Sequence, residues 1–487
     1  MLHRKLLRQL TIIAYLYLSA ARGQAEWRAV MDGGFGSRFN WEVASLVEFN
    51  GYLYAGTTNT NASFASDGTE IWRTADGENW ERTVVSGAGN VHNYSTYPLM
   101  VFQGNLYGSL FNPDDGGVII RTADGNDWQE VVSGGFDSVA NAHAHSLCIY
   151  RGALYAGTVN VITGAQLWRT ADGTAWEPVQ QNGFGDGRNV SIPALAVHQD
   201  YLYATTWNFA GAQIWRGDAA GNWERVLANG LNDPGNISGS TMVSNGSRVF
   251  AGLSFSTLGA QVVSSEDGIT WTVSAGPGFW NYRNEGIFKL HLASDNSLYA
   301  ATYNLIEGLE IWSMPHSAGH WFLLGQHGCV SPANFESYCA ADFNAATYFG
   351  TANTDVGASI LRWRGASGIQ LHFETTAQIV SSGDQFTVTV RGRNDGPAAA
   401  GQLAILLDLG PGFEPQYYFA PSWTSELETI AVSFAAGEQF VQPVFDFTVP
   451  EMSAAGPFYL HTAVVDNGLT QLISGLRTLE FKFSGGM

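Results

Sequence analysis

Six tryptophans recur at an almost constant interval along the chain. Successive members of the series are separated by 48, 48, 47, 48 and 50 residues: Trp80, Trp128, Trp176, Trp223, Trp271 and Trp321. Three of them end nearly the same phrase, IWRTADGENW (71–80), IIRTADGNDW (119–128) and LWRTADGTAW (167–176). A fixed period of about 20 to 50 residues indicates an array of repeated structural units. This interval therefore limits the fold more than any other feature of the chain.

Each repeat contains three short apolar stretches before its tryptophan. The second joins an aromatic residue to small ones, as in YLYAGT (52–57) and ALYAGT (153–158), and the third is typified by EIWR (70–73) and QLWR (166–169). The chain also has 57 glycines and 13% aromatic residues, which suits short strands joined by tight turns. Four antiparallel strands every 48 residues predict the blades of a β-propeller and an all-β fold.

The two ends of the repeated region complement each other. The first three strands of the repeat occur seven times, but a fourth strand follows only six of them. The missing piece matches the N-terminal segment EWRAVMDGGFG (26–36), which is similar to AWEPVQQNGFG (175–185). We therefore predict a seven-bladed β-propeller at residues 26–365, closed by an N-terminal outer strand that begins at Trp27 and pairs with residues 359–363.

The phrase before each tryptophan resembles the Asp-box repeat of sialidase-like propellers, Ser-x-Asp-x-Gly-x-x-Trp. The copy SSEDGITW (264–271) is closest to it, whereas RTADGENW (73–80) has Thr in place of Ser. The resemblance implies structural turns on the face opposite the functional one. A sialidase also needs three arginines and a Tyr–Glu pair, for which the candidates are Arg38, Arg188, Arg283, Tyr282 and Glu285. However, the Arg-Ile-Pro motif of that family is absent, and its propellers have six blades.

The N-terminus has the pattern of an export signal. A basic start precedes the apolar run LTIIAYLYLSAA (10–21), and GQA (23–25) supplies small residues before a cleavage point. We predict a signal peptide at residues 1–25 and a secreted, periplasmic or extracellular protein with no membrane span in the mature chain; an uncleaved anchor is the alternative. The net charge of −20 disfavours nucleic acid as a partner.

Three cysteines fit an oxidising compartment. Cys329 and Cys339 are ten residues apart, and we predict a disulfide between them. Cys148 lies in an apolar strand and is predicted to be a buried thiol. No cofactor and no metal site is predicted. Calcium could bind the loops SDG (66–68) and NPDDGG (112–117), although neither has the full spacing of a calcium-binding loop.

The last part of the chain, residues 366–487, has a different pattern. Apolar and polar residues alternate, as in QFTVTVRGRNDG (385–396), which predicts a β-sandwich. The stretch FTVTVRGRNDGPAAAGQLAILLDLGPGFEP (386–415) resembles the immunoglobulin-like accessory modules of exported bacterial proteins. The resemblance implies a module that spaces, docks or binds glycan.

Two asparagines recur in the turns of the face opposite the tryptophan turns. One follows the second strand and the other lies between repeats: Asn59, Asn112, Asn160, Asn208, Asn304 and Asn353, and Asn40, Asn93, Asn141, Asn189, Asn236, Asn284 and Asn334. Phe255 stands where one repeat lacks the first of these asparagines. Because Asn side chains cap tight turns, this regularity predicts a structural role for both sets.

Groups that do not repeat are the better functional candidates. The loops of this face carry aromatic and charged side chains, including Tyr97, Asp186, Tyr303, Glu307 and Glu336. The predicted ligand-binding residues are Arg38, Trp41, His92, Tyr94, His143, His145, Arg188, Trp207, Tyr282, Arg283 and Glu285. Aromatic rings beside charged groups are typical of sites for carbohydrate, and also of sites for peptides.

These features predict a monomeric binding protein whose partner is an extracellular glycan or a surface protein. The enzymatic alternative is a polysaccharide lyase acting on uronate-containing glycans. In that reading His143 or His145 and Tyr94 act as base and acid, and Arg188 neutralises the carboxylate of the substrate. A sialidase-like glycoside hydrolase is a weaker alternative.

Overall fold

The computed structural model describes residues 27–60, 66–294, 296–315, 321–363, 369–375, 379–381, 383–394, 399–408, 416–419, 422–424, 430–434, 439–449, 455–465 and 477–484. The signal peptide predicted at residues 1–25 lies outside these ranges. The chain forms two compact units, one of Arg28–Gly319 with Gln326–Trp363 and another that includes Arg364–Met487. The domain boundaries given by the sequence stay predictions.

Groups of four short strands follow the period of the tryptophans. The first three repeats are β2 (Asn40–Phe49), β3 (Tyr52–Asn59), β4 (Ile71–Thr74) and β5 (Glu81–Val84); β6 (Ser95–Phe102), β7 (Asn105–Phe111), β8 (Val118–Thr122) and β9 (Gln129–Val132); and β10 (His143–Tyr150), β11 (Ala153–Val159), β12 (Leu167–Thr170) and β13 (Glu177–Gln180). The next three are β14 (Leu195–His198), β15 (Tyr201–Thr205), β16 (Ile214–Gly217) and β17 (Trp223–Leu227); β18 (Ser238–Ser244), β19 (Val249–Ser254), β20 (Gln261–Ser265) and β21 (Thr272–Ala275); and β22 (Gly286–Leu292), β23 (Leu298–Tyr303), β24 (Ile311–Met314) and β25 (Phe322–Gly325).

The seventh group combines both ends of the repeated region. It consists of β26 (Glu336–Phe343), β27 (Ala346–Ala352), β28 (Ile360–Trp363) and β1 (Trp27–Met31). Strand β1 lies beside β28 in the sheet, which is the position that the sequence gives to the N-terminal strand. The first strands of successive repeats contact one another in chain order, and β26 contacts both β22 and β2.

Short helical turns join the fourth strand of one repeat to the first strand of the next. Among the described residues they are Gly33–Gly36, Ser86–Gly89, Gly134–Asp137, Asn182–Gly185, Asn229–Asn232 and Pro277–Trp280. Each contains two consecutive residues in the left-handed region, for example Gly183 and Phe184 with φ of 60° and 59°. In four of these six turns the second of these residues is a phenylalanine that stacks on the tryptophan of a third strand, as Phe184 does on Trp215 at a centroid distance of 5.0 Å. This contact fixes one repeat against its neighbour.

The Thr-Ala-Asp-Gly turn has the contacts of a structural turn. In the third repeat Asp172 accepts hydrogen bonds from the backbone N–H groups of Thr174 and Ala175, both at 2.8 Å. The hydroxyl of Thr170 accepts the N–H of Gly173 at 2.9 Å. Gly173 has a φ of +77°, and a Cβ atom there would lie 1.8 Å from the phenol oxygen of Tyr107 in the previous repeat. The repeated Asp-Gly therefore makes a turn that also packs repeats together.

We expect Thr170→Val to lower the free energy of unfolding by about 1 to 2 kcal/mol, because it leaves the buried N–H of Gly173 without an acceptor. Denaturant unfolding would measure this. Thr174→Ala is the matched control on the same turn, since Thr174 is exposed. Equal stability of the two variants would contradict the structural role of the threonine.

The two sets of asparagines are linked to each other, as the prediction of a structural role requires. In the third repeat the amide of Asn141 donates to the carbonyl of Gly135 at 2.8 Å, and its oxygen accepts from Asn160 at 2.9 Å. The same pair of bonds recurs in the other repeats that have both asparagines. In the fifth repeat Phe255 replaces the asparagine that follows the second strand, and the side-chain oxygen of Asn236 is buried without a hydrogen-bond partner.

The second unit is also built from strands. One sheet has the order β29 (Ile369–Thr375), β31 (Gln385–Asn394) and β36 (Gln439–Thr448). The other contains β30 (Ile379–Ser381), β38 (Arg477–Ser484), β37 (Ala455–Val465), β32 (Ala399–Asp408), β33 (Gln416–Phe419), β34 (Ser422–Thr424) and β35 (Ile430–Phe434). Buried residues from both sheets, among them Phe386, Val390, Ile405 and Leu460, form one apolar core. This agrees with the alternating pattern of the sequence, and the immunoglobulin-like assignment stays a prediction.

The disulfide predicted between Cys329 and Cys339 is wrong, because both residues are thiols in the structure. Cys339 lies on β26 and directs its sulfur to the next repeat, where it donates to the carbonyl of Val43 at 3.1 Å. Cys329 precedes that strand, in the turn between repeats. Cys148 is a thiol as predicted, although it is only half-buried. None of the helices within the described ranges is long and apolar enough to cross a membrane.

Candidate functional site

The strand register aligns one residue from each repeat at the start of its first strand. This residue stands two positions after the asparagine between repeats and is opposite the end of the second strand: Glu42, Ser95, His143, Ser191, Ser238, Gly286 and Glu336. The residues two positions further along are Ala44, Tyr97, His145, Pro193, Ser240, Phe288 and Tyr338. Unlike the asparagines, these two sets differ from repeat to repeat. Both sets lie near the beginning of the first strands.

A continuous series of rings follows this arrangement. Trp207 stacks on Phe255 at 5.9 Å, and Phe255 contacts Phe288 at 5.7 Å. Phe288 stacks on Tyr338 at 4.6 Å. Tyr338 contacts Tyr97 at 5.9 Å, and Tyr97 contacts His145 at 5.4 Å. We call this series, Trp207, Phe255, Phe288, Tyr338, Tyr97 and His145, the aromatic wall; all of its members except Phe288 are half-exposed.

Two histidines stand at one end of the wall. The rings of His143 and His145 lie 5.5 Å apart, and Nδ1 of His145 is 2.8 Å from the hydroxyl of Ser191. Burial lowers the pKa of His145 to about 4 and that of His143 well below its usual value. Both rings are therefore neutral near pH 7.

One nitrogen of His143 has no partner. The side chain is only 7% exposed, and its Nε2 atom makes no hydrogen bond. A backbone hydrogen bond at Tyr97 partly offsets the lowering of the His143 pKa by burial. In a neutral imidazole one nitrogen is a donor and the other an acceptor. A buried nitrogen of either kind without a partner is costly in a folded protein unless a ligand or water supplies one.

Two buried carboxylates lie beside this end of the wall. Glu42 on β2 and Glu336 on β26 are both opposite Ala352 of β27, one on each side of that strand. The hydroxyl of Thr58 donates to Glu42 at 2.6 Å. Burial raises the pKa of Glu42 to about 7, and burial together with the charge of Glu42 raises the pKa of Glu336 well above its usual value. The pair therefore retains a proton near neutral pH, because two buried like charges disfavour each other.

The three predicted arginines do not form a common site. Arg188 is exposed and makes two hydrogen bonds of 2.9 Å to Asp186, two residues earlier in the same loop. Arg283 pairs with Glu307. The guanidinium of Arg38 lies 5.3 Å from the ring centre of Phe39. A carboxylate already neutralises two of the three cations, so the geometry gives little support to a site for a uronate or a sialic acid.

The other predicted residues occupy the loops outside the wall. The phenol of Tyr94 donates to Asp114 at 3.1 Å, and Nδ1 of His92 is 3.2 Å from the same carboxylate. The indole of Trp41 donates to Thr60 at 2.9 Å. Tyr282 and Glu285 are exposed, and Arg283 lies over the ring of Tyr282 at 5.6 Å. Of the predicted residues, His145 and Trp207 belong to the wall, His143 contacts it through its ring, and the backbone carbonyl of Glu285 accepts a hydrogen bond from Phe255 at 2.6 Å.

The tyrosine beside the histidines is Tyr97 and not Tyr94. The ring of Tyr97 lies 6.0 Å from that of His143, whereas Tyr94 reaches His143 only through Phe111. Glu42, Phe288 and Tyr338 were not predicted as site residues. They lie near the beginning of strands, whereas the predicted site residues were taken from the loops. Their signal is that they stand two or four positions after the recurrent asparagine. Within the described residues no group of three or more His, Cys, Asp and Glu side chains could hold a metal ion.

Comparisons with known proteins identify the fold only. No family model matches the chain, and no curated protein matches it. Among solved structures, the BP39L lectin from Burkholderia pseudomallei is similar with a TM-score of 0.50 and 11% identity over 67% of this chain and 97% of the lectin. Two weaker matches carry no argument: a GH43 endo-arabinanase from Bacillus licheniformis (TM-score 0.30, 15% identity, 46% of this chain and 94% of that one), and a protein of unknown function from Bacteroides thetaiotaomicron VPI-5482 (0.36, 11%, 69% and 96%). The chain therefore has an all-β fold of the propeller type.

Proposed function

We propose that this chain is a secreted protein that binds extracellular carbohydrate at the aromatic wall. The supporting observation is that partly buried rings lie there beside two polar atoms that lack hydrogen-bond partners, the indole nitrogen of Trp207 and Nε2 of His143. Sugars offer apolar ring faces for stacking and hydroxyls that both donate and accept. A glycan would therefore satisfy both kinds of group at once.

We also propose that the repeats form a closed seven-bladed propeller of the Asp-box type. Seven repeats of four strands, with β1 beside β28, support a closed seven-bladed propeller, and the Thr-Ala-Asp-Gly turns support the Asp-box type of repeat. In such a ring the start of each first strand lines one mouth of the central channel. The aromatic wall would then be the lining of that mouth. The second unit would serve as an immunoglobulin-like accessory module.

A polysaccharide lyase is less well supported than a binding protein. The mechanism would need a free arginine to neutralise the carboxylate of the substrate, but Arg188 is bound to Asp186. Tyr97, which contacts both histidines, interacts instead with the carboxyl group of Glu42. A uronate would be repelled there. Incubation of the protein with uronate polymers, followed by ultraviolet absorbance of unsaturated products, should give no signal above that of a His143→Ala variant.

We expect Trp207→Ala to weaken glycan binding about tenfold, because it removes one stacking face and one unsatisfied donor. A glycan array would identify the ligand, and calorimetry would give the affinity. Trp41→Ala is the matched control: Trp41 is also half-exposed, but its indole is already bonded to Thr60. Binding of a surface protein and of no glycan would contradict the proposal, as would an equal loss of affinity in both variants.

A further inference from the structure

Two buried carboxyl groups near the aromatic wall have no ion-pair partner. Glu42 and Glu336 flank the same residue of β27, and neither makes an ion pair among the described residues. Arg188 and Arg283 pair with other carboxylates, and the amine of Lys289, whose pKa burial lowers, interacts with Cys339. A positively charged ligand beside the two carboxyl groups would favour their ionised form.

The rings nearest the carboxylates present the groups that bind organic cations. Burial raises the pKa of both phenols, and the charge of Glu42 raises that of Tyr97 further, as the charges of Glu336 and Glu42 do for Tyr338. The two tyrosines meet edge to face with their centroids 5.9 Å apart, and Phe288 stacks on Tyr338 at 4.6 Å. A cation within about 6 Å of an aromatic face is attracted by about 0.5 to 2 kcal/mol.

His143 supplies an independent observation that points to a ligand. It belongs to a different strand from either glutamate, it is nine-tenths buried, and its Nε2 atom has no hydrogen-bond partner. Its ring lies 6.0 Å from Tyr97, on the side of the wall where the carboxylates are. A protonated amine has three N–H donors, so it could be shared between a carboxylate and this nitrogen. A neutral hydroxyl could satisfy the histidine but not the pair of carboxylates.

We propose that the wall selects glycans whose sugars carry a free, protonated amine, held by Glu42 and Glu336, by the faces of Tyr97 and Tyr338, and by Nε2 of His143. This inference rests on the proposed carbohydrate-binding function and specifies its ligand class. Both carboxylates must be ionised when the cation is bound, whereas the empty pair retains a proton. Binding therefore releases a proton to the solvent.

Two oligosaccharides of equal length test the inference: the chitosan hexamer, which carries free amines, and the fully N-acetylated chitin hexamer, which does not. Calorimetry at about pH 6, where amines are protonated, should give at least tenfold tighter binding of the chitosan hexamer. Repeating the titration in buffers of different ionisation enthalpy should reveal proton release for the chitosan hexamer alone. A general loss of folding would not produce this difference between two ligands.

Variants separate charge recognition from binding itself. Glu336→Gln should remove the preference for the chitosan hexamer and its proton release, while the chitin hexamer binds as before. Glu48→Gln, which changes an exposed carboxylate near the other end of β2, should preserve both. Equal binding of the two hexamers by the unmodified protein would overturn the inference and leave the proposed function intact. No binding of any glycan would overturn both, and equally tight binding of 1,6-diaminohexane would show an amine site without sugar recognition.

Discussion

Glu42→Gln should reduce the decrease in stability that the protein undergoes between about pH 4 and pH 8. The pKa of Glu42 is raised from 4.5 to about 7 by burial. Its contribution to stability is therefore complete below pH 4.5 and is lost as the pH rises through 7. The shift corresponds to about 3 kcal/mol at most. Urea unfolding of both proteins at a series of pH values would measure the difference.

The environment of Glu42 makes this expectation specific. The titratable groups that interact with it are Glu336, Tyr97, Tyr338 and Cys339. The pKa of Glu336 is raised by burial and by the charge of Glu42, and it should fall in the variant because that charge is gone. The stability of Glu42→Gln relative to wild type should thus increase with pH from both causes.

A control on the same strand separates this effect from a general change of charge. Glu48 lies on β2 but is exposed, so Glu48→Gln should follow the wild-type curve. The aspartates of the repeated turns have lowered pKa values through hydrogen bonds to backbone N–H groups. These aspartates contribute stability that is lost in acid. Glu42→Gln and Glu48→Gln should show the same loss as wild type, because neither variant changes the aspartates. If wild type and Glu42→Gln had parallel curves, the carboxylate pair would not be buried as described.

The period of the sequence was sufficient to predict the architecture of the repeats, because it shows which residues occupy equivalent positions in different repeats. The tryptophan interval and the unmatched fourth strand gave the position of β1 beside β28. The asparagines were recognised as structural because nearly every repeat has both, and the bonds between Asn141 and Asn160 show how they work. Periodicity says which residues are alike and does not say which of the others face one another.

The candidate site was predicted only in part for that reason. His143 and His145 were found because two histidines in one segment are unusual, but Tyr338 and Phe288 look like ordinary strand residues until the first strands are brought together. Arg188 was expected to be available, and a carboxylate two residues away neutralises it. A spacing of ten residues allowed a disulfide, yet strand β26 turns Cys339 toward Val43. Each error concerns a side-chain direction set by tertiary packing.

Phe255 belongs to the aromatic wall but does not suit the turn in which it lies. It replaces an asparagine that six other repeats have, it has a φ of 79°, and it leaves the side-chain oxygen of Asn236 without a partner. A buried acceptor of this kind costs about 1 to 3 kcal/mol, and a bulky residue at positive φ adds strain. In return Phe255 joins Trp207 to Phe288. A local cost at one repeat, next to the candidate site, is typical of a functional position.

Phe255→Asn should therefore change stability and binding in opposite directions. Asparagine tolerates positive φ and would donate to Asn236 as its equivalents do in the other repeats, so we expect a gain of about 1 to 2 kcal/mol in the free energy of unfolding. The aromatic wall would be interrupted, and glycan affinity should fall about thirtyfold, or about 2 kcal/mol. Phe255→Ala is the control, since it removes the ring without supplying a donor and should weaken binding with no gain in stability. If Phe255→Asn were less stable than wild type, or bound glycan equally well, the role of Phe255 would be packing and not ligand recognition.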